Sequence, residues 1–290
     1  MVIPNAMPEY TWSPTHYNNG ADFVYSDAVT QPLFELLSLQ SGERVVDMGC
    51  GTGELTLRLQ KLTGEGGLVW GVDANESMVI ICATGTFMLY ELTLIYLQLE
   101  IAKKNGIETL FCCDLQKFVM PDKFREWTGT FDAVFTNSTL HWCKQDPHGP
   151  VKAAKSLLKP GGRFVGEFCG HMSALGIRGA FSQVLKRRGI EPADPWYFPL
   201  PADYAKAKSE GFEVEHISLN PRIVPLSGSI IGFLRAIFRI AMLKDMSDEE
   251  AEDVLQEVSK ICEVDHRDER GTWYMMNVTV RFRAIARHTA

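Results

Sequence analysis

The feature that most constrains this chain is a short apolar segment followed at once by three closely spaced glycines. Residues 44–48 have the composition of a buried strand, residues 49–53 have the sequence Gly-Cys-Gly-Thr-Gly, and residues 54–62 have the apolar spacing of a helix. Glycines permit a tight turn and let a ligand approach the main chain at the positive end of a helix. A plain strand-to-helix turn would use the same residues, so the motif needs support from the rest of the chain.

Four more apolar segments have the length of buried strands: 68–73, 110–114, 131–137 and 163–168. Helical patterns such as 151–158 alternate with them, which predicts an α/β fold with a doubly wound, mostly parallel, Rossmann-like sheet. Polar side chains fall at or near the carboxyl ends of four strands: Asp47, Asp73, Asp114 and Asn137. Sheets of this kind bind ligands at those ends.

Beyond residue 170 the pattern changes to a helical C-terminal cap and the last strands of the sheet. The predicted elements are helices at 174–188, 202–209 and 230–243, strands at 212–219 and 272–286, and a capped helix that begins at Ser247 with Glu250 three residues later. The expected organisation has three parts: an N-terminal arm and helix (1–40, interrupted at Pro32), a core (41–170) and a cap with the last strands (171–290).

The glycine spacing differs from the G-x-G-x-x-G pattern of dinucleotide enzymes. Asp73 follows the turn by about 20 residues, where a carboxylate can accept both hydroxyls of a ribose. Over roughly residues 17–170 the chain resembles the class I S-adenosylmethionine-dependent methyltransferases. The matching motifs are Asp47 with Gly49-Cys50-Gly51, Val72-Asp73, Asp114, and Leu158-Lys159-Pro160-Gly161-Gly162 before the fifth strand.

This resemblance implies S-adenosyl-L-methionine as the cofactor and a role for each matching residue. Gly49, Gly51 and Gly53 would line the methionine moiety, Asp73 would bind the ribose, Asp114 with the Leu115 amide would bind the adenine, and Asn137 would lie beside the methionine part. The full set of expected cofactor contacts is Asp47, Gly49, Cys50, Gly51, Gly53, Asp73, Ala74, Met78, Asp114, Leu115 and Asn137. No metal site is expected.

Three shorter segments resemble the small-molecule, trans-aconitate methyltransferase-like group: residues 17–24, 138–142, and 197–204 with 211–212. That group implies a small-molecule methyl acceptor, and O-methylation of a carboxylate is the reaction we favour. A carboxylate is already ionised, whereas a phenol, hydroxyl or ammonium acceptor would need a base, for which His141 is the candidate. His141 could equally pack beside Trp142. The alternatives are N- or C-methylation with His141 as base, or a cofactor-binding protein without methyl transfer.

The remaining candidates for the acceptor site come from the arm and from the aromatic segments. Tyr17 is a second catalytic candidate, and the possible acceptor-lining residues are Trp12, His16, Trp142, Trp196 and Tyr197. Packing or surface roles are the alternative for each of them. Acceptor specificity is expected to lie in residues 170–245.

The net charge and the cysteines bear on the kind of substrate and on the cellular location. The net charge of −7 argues against a nucleic-acid substrate, because such binders need a basic surface. Asn137-Ser138-Thr139-Leu140 also stands where a nucleic-acid methyltransferase would have Asn/Asp-Pro-Pro-Tyr/Phe. Seven cysteines without metal-ligand spacing, and a start without a secretory signal, predict a cytoplasmic protein with reduced thiols. The sequence does not indicate an oligomeric state.

Residues 79–98 are almost wholly apolar where the fold usually has one amphipathic helix. A membrane span is not expected, because Glu91 lies inside the segment and a span would split the cofactor fold. The segment could be an inserted buried or oligomeric helix. The hypothesis we favour is a translated intron: valine codons begin with GT, glutamine can be encoded by CAG, and removal keeps the frame and leaves an ordinary helix. Sequencing the spliced message tests this, since retention in every transcript would exclude it.

Overall fold

The protein is described by a computed structural model that covers residues 22–74, 109–208 and 211–287. Within these residues, seven strands form one sheet: β1 Arg44–Met48, β2 Leu68–Asp73, β3 Thr109–Cys112, β4 Phe131–Asn137, β5 Leu158–Cys169, β6 Phe212–Pro225 and β7 Tyr274–Ala286. The strand order is β3-β2-β1-β4-β5-β7-β6. Strands β1 to β5 are parallel, and β7 is antiparallel to β5.

The sheet is doubly wound about β1, as the sequence predicted. The chain lays β2 and β3 on one side of β1 and then returns to lay β4 and β5 on the other. The direction of winding reverses between β1 and β4, and sheets of this kind bind ligands at the carboxyl ends of the strands at such a point. We call the carboxyl ends of β1 to β5 the carboxyl edge.

The chain divides into two units. Among the described residues, the sheet unit consists of those within Val24–Ser173, Trp196–Arg222 and Met276–Ala290, and the helical unit consists of those within Ala174–Pro195 and Ile223–Met275 together with residues 22–23. Helices of the sheet unit are α1 Asp27–Leu37, α2 Glu54–Thr63, α3 Gly149–Leu157 and α5 Pro201–Lys208. Helices of the helical unit are α4 Leu175–Arg187, α6 (residues 230–242) and α7 Asp248–His266.

Both faces of the parallel strands are buried, which explains why these strands are continuous apolar runs. On one face, strand residues such as Val45 and Phe135 pack against Leu33 and Phe34 of α1 and Leu55 of α2. The opposite face packs against α3 and α5. Its buried members include Val46, Met48, Trp70, Val72, Val134, Phe164, Ala154, Leu157 and Tyr204.

The predicted interruption at Pro32 was wrong, because Pro32 lies inside α1. A proline within a helix removes one hydrogen bond and costs about 3 kcal/mol. Its neighbours Leu33, Phe34 and Leu37 are buried against the sheet. Each contributes roughly 1.5–3 kcal/mol, which offsets that cost.

The predicted turn at residues 159–162 is part of β5 itself. Phe131 pairs with Leu158 and Ala133 pairs with Arg163, so the register between β4 and β5 shifts at this point. The intervening residues bulge out of the ladder, and Gly161 takes a left-handed φ of 78° there. β6 extends to Pro225, beyond the predicted end at residue 219.

Several predicted residues lie outside the described part of the chain. They are Trp12, His16, Tyr17, Met78 and the segment 79–98. Among the helices of the described residues, none is long and apolar enough to cross a membrane.

The helical unit confirms the two predicted helices near 230 and 247. Residues 230–242 are helical, with a π-helical turn at Leu234–Phe238 between two α-helical turns. Ser247 caps α7 in a full capping box: its hydroxyl accepts from the Glu250 amide at 3.3 Å, and its own amide donates to the Glu250 carboxylate at 3.1 Å. These bonds satisfy amide groups that the first turn leaves without partners.

We expect Ser247→Ala to lower the free energy of unfolding by about 1 kcal/mol, because it removes the acceptor for an amide of the first turn. Ser229→Ala is the matched control, since Ser229 precedes α6 in the same way but makes no side-chain capping bond. Urea unfolding of both variants measures the difference. Equal losses in the two variants would contradict the role of the capping box.

Candidate active site

The glycine turn after β1 is held against the end of β2. The amides of Gly49 and Cys50 both donate to the Val72 carbonyl, at 2.7 and 3.0 Å. Gly49 has a φ of 78°, and a Cβ at this position would lie 2.0 Å from the Thr139 hydroxyl oxygen. Only glycine fits here, because any side chain would collide with the segment that follows β4.

Asp73 closes the turn from the side of β2. The Gly51 amide donates to the Asp73 carboxylate at 3.0 Å, so the carboxylate lies directly beside the glycines. Ala74 follows it at the end of the described segment. Asp73 and the glycine turn therefore meet at one place on the carboxyl edge.

Asp47, which precedes the turn, and Cys50, which belongs to it, are both buried. Asp47 is 2% exposed and accepts a hydrogen bond of 2.7 Å from the Thr56 hydroxyl of α2. Burial raises the pKa of Asp47 to about 7, the Thr56 hydrogen bond opposes this, and the nearby carboxylates of Asp73 and Glu54 add to it. Asp47 thus joins β1 to α2 below the turn.

Asp114 lies just beyond β3, which ends at Cys112 and not at residue 114 as predicted. Its carboxylate accepts from the Gln116 amide at 2.9 Å and caps a 3₁₀ turn at Leu115–Lys117. Leu115 is buried with 3% exposure. The Gln116 side-chain oxygen in turn accepts from the amides of Gln145 and Asp146, which anchors this turn to the chain before α3.

Asn137 ends β4 next to the glycine turn. Its side-chain amide donates to the Val24 carbonyl at 3.1 Å, which ties the segment before α1 to the carboxyl edge. Ser138 has a φ of 54°, a left-handed conformation that is uncommon for a residue with a side chain and concentrates at functional sites. Thr139 contacts Gly49, and the sequence analysis did not single it out because only the fold brings the two residues together.

His141 is buried with 7% exposure. The Cys169 amide donates to its Nδ1 at 3.4 Å, which leaves the ring proton on Nε2. Burial lowers the pKa of His141 to about 3, so the imidazole is neutral throughout the physiological range. Its carbonyl accepts from the Tyr197 amide at 2.8 Å, which joins the two segments predicted to line the acceptor site.

The aromatic residues of these two segments form one cluster. The ring centroid of His141 lies 5.3 Å from that of Trp142 and 5.9 Å from that of Phe198. Trp196 packs edge-on to Trp142 at 5.7 Å and is stacked on Phe198 at 5.7 Å. Trp196 is buried, whereas Tyr197 is half-buried. The structure therefore brings together all the predicted aromatic residues that it describes.

The order of these groups along the carboxyl edge follows from the strand order. Asp114 follows β3, Asp73 ends β2, the glycine turn follows β1 and Asn137 ends β4. Neighbouring strands are about 4.8 Å apart, so the four positions span roughly 14 Å in one line. Two carboxylates and an amide oxygen are thus set beside a glycine turn, an arrangement suited to an extended ligand with several donors.

A family model described as a methyltransferase domain matches residues 39–187, just over half of the chain. The protein is a class I S-adenosylmethionine-dependent methyltransferase. An uncharacterized methyltransferase of Schizosaccharomyces pombe is 29% identical over 226 residues, which are 73% of this chain and 74% of that protein. The match extends well beyond the glycine motif.

Solved structures agree on the fold of this methyltransferase. A Bacillus halodurans protein described as a methyltransferase has a TM-score of 0.56 at 13% identity, and the alignment covers 90% of this chain and all of that one. A phosphoethanolamine N-methyltransferase of Haemonchus contortus, solved with S-adenosylhomocysteine, has a TM-score of 0.52 at 15% identity, over 97% of this chain and 58% of that one.

The residues of the carboxyl edge fit S-adenosylmethionine, the cofactor of this family. The cofactor combines an adenine, a ribose and a methionine in a row, and each part has N–H or O–H donors that need acceptors. Along this edge the carboxylates of Asp114 and Asp73 offer acceptors, and the amides of the glycine turn lie beside Asp73. The methyltransferase thus has the donor and acceptor chemistry that its family requires.

We expect Asp47→Asn to change how the stability of this methyltransferase depends on pH. The carboxyl holds its proton up to about pH 7 when folded but only to about 3.8 when unfolded, so its stabilising contribution is complete below pH 3.8 and is lost as the pH rises through 7. Asparagine does not titrate. The stability of the variant relative to wild type should therefore rise by about 4 kcal/mol between pH 4 and 8.

Asp132→Asn is the control for this experiment. Partial burial raises the pKa of Asp132, but hydrogen bonds from the Arg44 amide and from Lys159 outweigh this effect and lower the pKa below its usual value. Its contribution is complete above the unfolded pKa, so the difference between Asp132→Asn and wild type should stay flat above about pH 5. Urea unfolding at a series of pH values measures both differences. A flat difference for Asp47→Asn would show that Asp47 is ionised in the folded protein.

Proposed function

We propose that this protein methylates an oxygen of a small molecule, and that the oxygen belongs to a carboxylate. The observation that supports this most is the state of His141, the predicted base beside the carboxyl edge. A general base works best with a pKa near the working pH, and burial lowers that of His141 to about 3. An acceptor that is already ionised needs no base, so a carboxylate is the acceptor that best suits this environment.

The proposal assigns the cofactor to the carboxyl edge, part by part. Asp114 and the Leu115 amide bind the adenine, Asp73 accepts from the ribose hydroxyls, and the glycine turn with Asn137 holds the methionine. This order along β3, β2, β1 and β4 is supported by the spacing of the strands. Asp47 and Cys50, which are buried, support the turn from below and keep its amides in place.

When bound, S-adenosylmethionine supplies an electrophilic methyl group on a sulfonium sulfur, and the electron pair of the broken S–C bond stays on that sulfur. The protein's task is to hold the acceptor oxygen in line with this methyl at about 3–3.5 Å. A carboxylate oxygen forms the new bond with its own lone pair and loses no proton. Positioning and exclusion of water are then the main catalytic contributions.

The acceptor site in this proposal is formed by the aromatic cluster of His141, Trp142, Trp196, Tyr197 and Phe198. Neutral His141 positions the cluster through its bonds to the Cys169 amide and the Tyr197 amide. A small acceptor is favoured over a nucleic acid by the net charge of −7.

The cofactor assignment predicts that Asp73→Asn weakens binding of S-adenosylhomocysteine ten- to a hundredfold, because a charged acceptor of two hydroxyls is lost. Asp132→Asn is the matched control, since Asp132 bonds to the Arg44 amide at the amino ends of the strands, away from the carboxyl edge. Calorimetric titration measures both. Equal affinities for Asp73→Asn and wild type would remove Asp73 from the site.

The acceptor assignment predicts methyl transfer to carboxylic acids with no dependence on a histidine. Labelled methyl groups should appear as base-labile esters, and kcat/KM should be flat between pH 6 and 8. His141→Asn keeps an acceptor for the Cys169 amide, so its pH profile should remain flat even where packing lowers the rate. A limb near pH 6.5 that disappears in His141→Asn, or transfer only to amines or carbon, would establish the alternative reaction with His141 as base.

A further inference from the structure

A cluster of one buried acid and two partly buried arginines lies on the carboxyl edge beyond Asn137, and no local sequence pattern indicates it. Its centre is Glu167 of β5, whose side chain is only 3% exposed. One carboxylate oxygen accepts from Arg222 of β6 and from the Thr279 hydroxyl at 2.7 Å, and the other accepts from Arg281 of β7 at 2.6 Å. We call Arg222 and Arg281 the guanidinium pair.

The cluster of Arg222, Arg281 and Glu167 has a net charge of one positive unit. Two guanidinium groups face a single carboxylate, and both oxygens of that carboxylate are already engaged. The side chains of Arg222 and Arg281 are 21% and 14% exposed, so water screens the surplus charge only in part. A surplus charge that water screens only in part is costly, which favours the binding of an anion.

The guanidinium pair also has N–H groups that Glu167 does not use. Arg222 gives one further hydrogen bond, from Nη1 to the Val29 carbonyl at 3.3 Å. Arg281 uses only its Nε toward Glu167, and no acceptor within the described residues contacts its two terminal nitrogens. A planar guanidinium with both terminal nitrogens available can bind a carboxylate in a bidentate manner.

The position of the cluster relates it to methyl transfer. Glu167 pairs with Asn137 across β5 and β4, and Arg281 pairs with Glu167 across β7 and β5. Paired residues on neighbouring strands are level with each other and on the same face. Glu167 therefore lies two strands, or about 10 Å, from the start of the glycine turn.

We propose that the guanidinium pair binds a carboxylate of the methyl acceptor, distinct from the group that receives the methyl. This rests on the proposed function and adds the residues that select the acceptor. The pair positions one end of the molecule at β5 to β7 while the reacting oxygen lies toward the glycine turn. One surplus positive charge matches one carboxylate, whereas a phosphate dianion would leave the cluster negative.

The test uses the full chain saturated with S-adenosylhomocysteine and succinate as the probe, titrated by calorimetry at low ionic strength. Arg281→Gln and Arg222→Gln should each weaken succinate binding ten- to a hundredfold, since each removes a charged donor. Glu167→Gln should bind succinate at least as tightly as wild type, because it raises the surplus charge. Either arginine variant can be judged if the other fails to fold.

Arg283→Gln is the matched control. Arg283 lies two residues along β7 on the same face and is 22% exposed, but it pairs one-to-one with Glu215 at 2.6 Å. It should leave succinate affinity within twofold of wild type. Equal losses in Arg283→Gln and Arg281→Gln, unchanged binding in both arginine variants of the pair, or tighter binding of inorganic phosphate than of succinate would overturn the proposal.

The anion site and the methylation reaction can fail independently of each other. Unchanged succinate binding in Arg222→Gln and Arg281→Gln, while the wild type still methylates carboxylic acids, would overturn the role of the guanidinium pair alone. Failure of the wild type to bind S-adenosylhomocysteine, or to methylate any carboxylic acid while succinate still binds through Arg222 and Arg281, would overturn the proposed reaction and leave the anion site standing.

Discussion

The arrangement of this site depends on one close approach, in which the glycine turn after β1 meets both neighbouring strands. The Val72 carbonyl of β2 accepts two amides of the turn, and on the other side Thr139 fills the space that a side chain at Gly49 would need. The turn therefore cannot move without disturbing β2 or the segment after β4. This fixes Asp73 and Asn137 relative to each other, although they belong to different strands.

Local signals in the sequence predicted the parts of the fold that local physics determines. The glycine turn, the acid at the end of β2 and the capping box of Ser247 and Glu250 depend on residues within a few positions, and the structure contains all three geometries. The prediction that Pro32 interrupts the first helix was wrong, because a nonlocal effect decides the outcome there. Burial of α1 against the sheet, a tertiary effect, outweighs the local cost of a proline.

The electrostatics of the site could not be predicted in the same way. Glu167 meets Arg222 and Arg281 from positions 55 and 114 residues away, and only the antiparallel return of β7 brings them together. The residue type of His141 suggested a candidate base, with packing beside Trp142 as the alternative. Its protonation depends on burial among aromatic rings, which include Phe198 from a distant segment of the chain.

The register shift between β4 and β5 makes the amino ends of these strands tolerant of extra residues, while the carboxyl ends keep a regular pairing. The extra residues 159–162 are absorbed where the strands begin, and from Ala133 and Arg163 onward the pairing runs without irregularity to Asn137 and Glu167. Extra residues at the amino ends of β4 and β5 therefore leave the pairing at the carboxyl edge unchanged. The bulge at residues 159–162 therefore offers a place to graft tags or domains without altering the site.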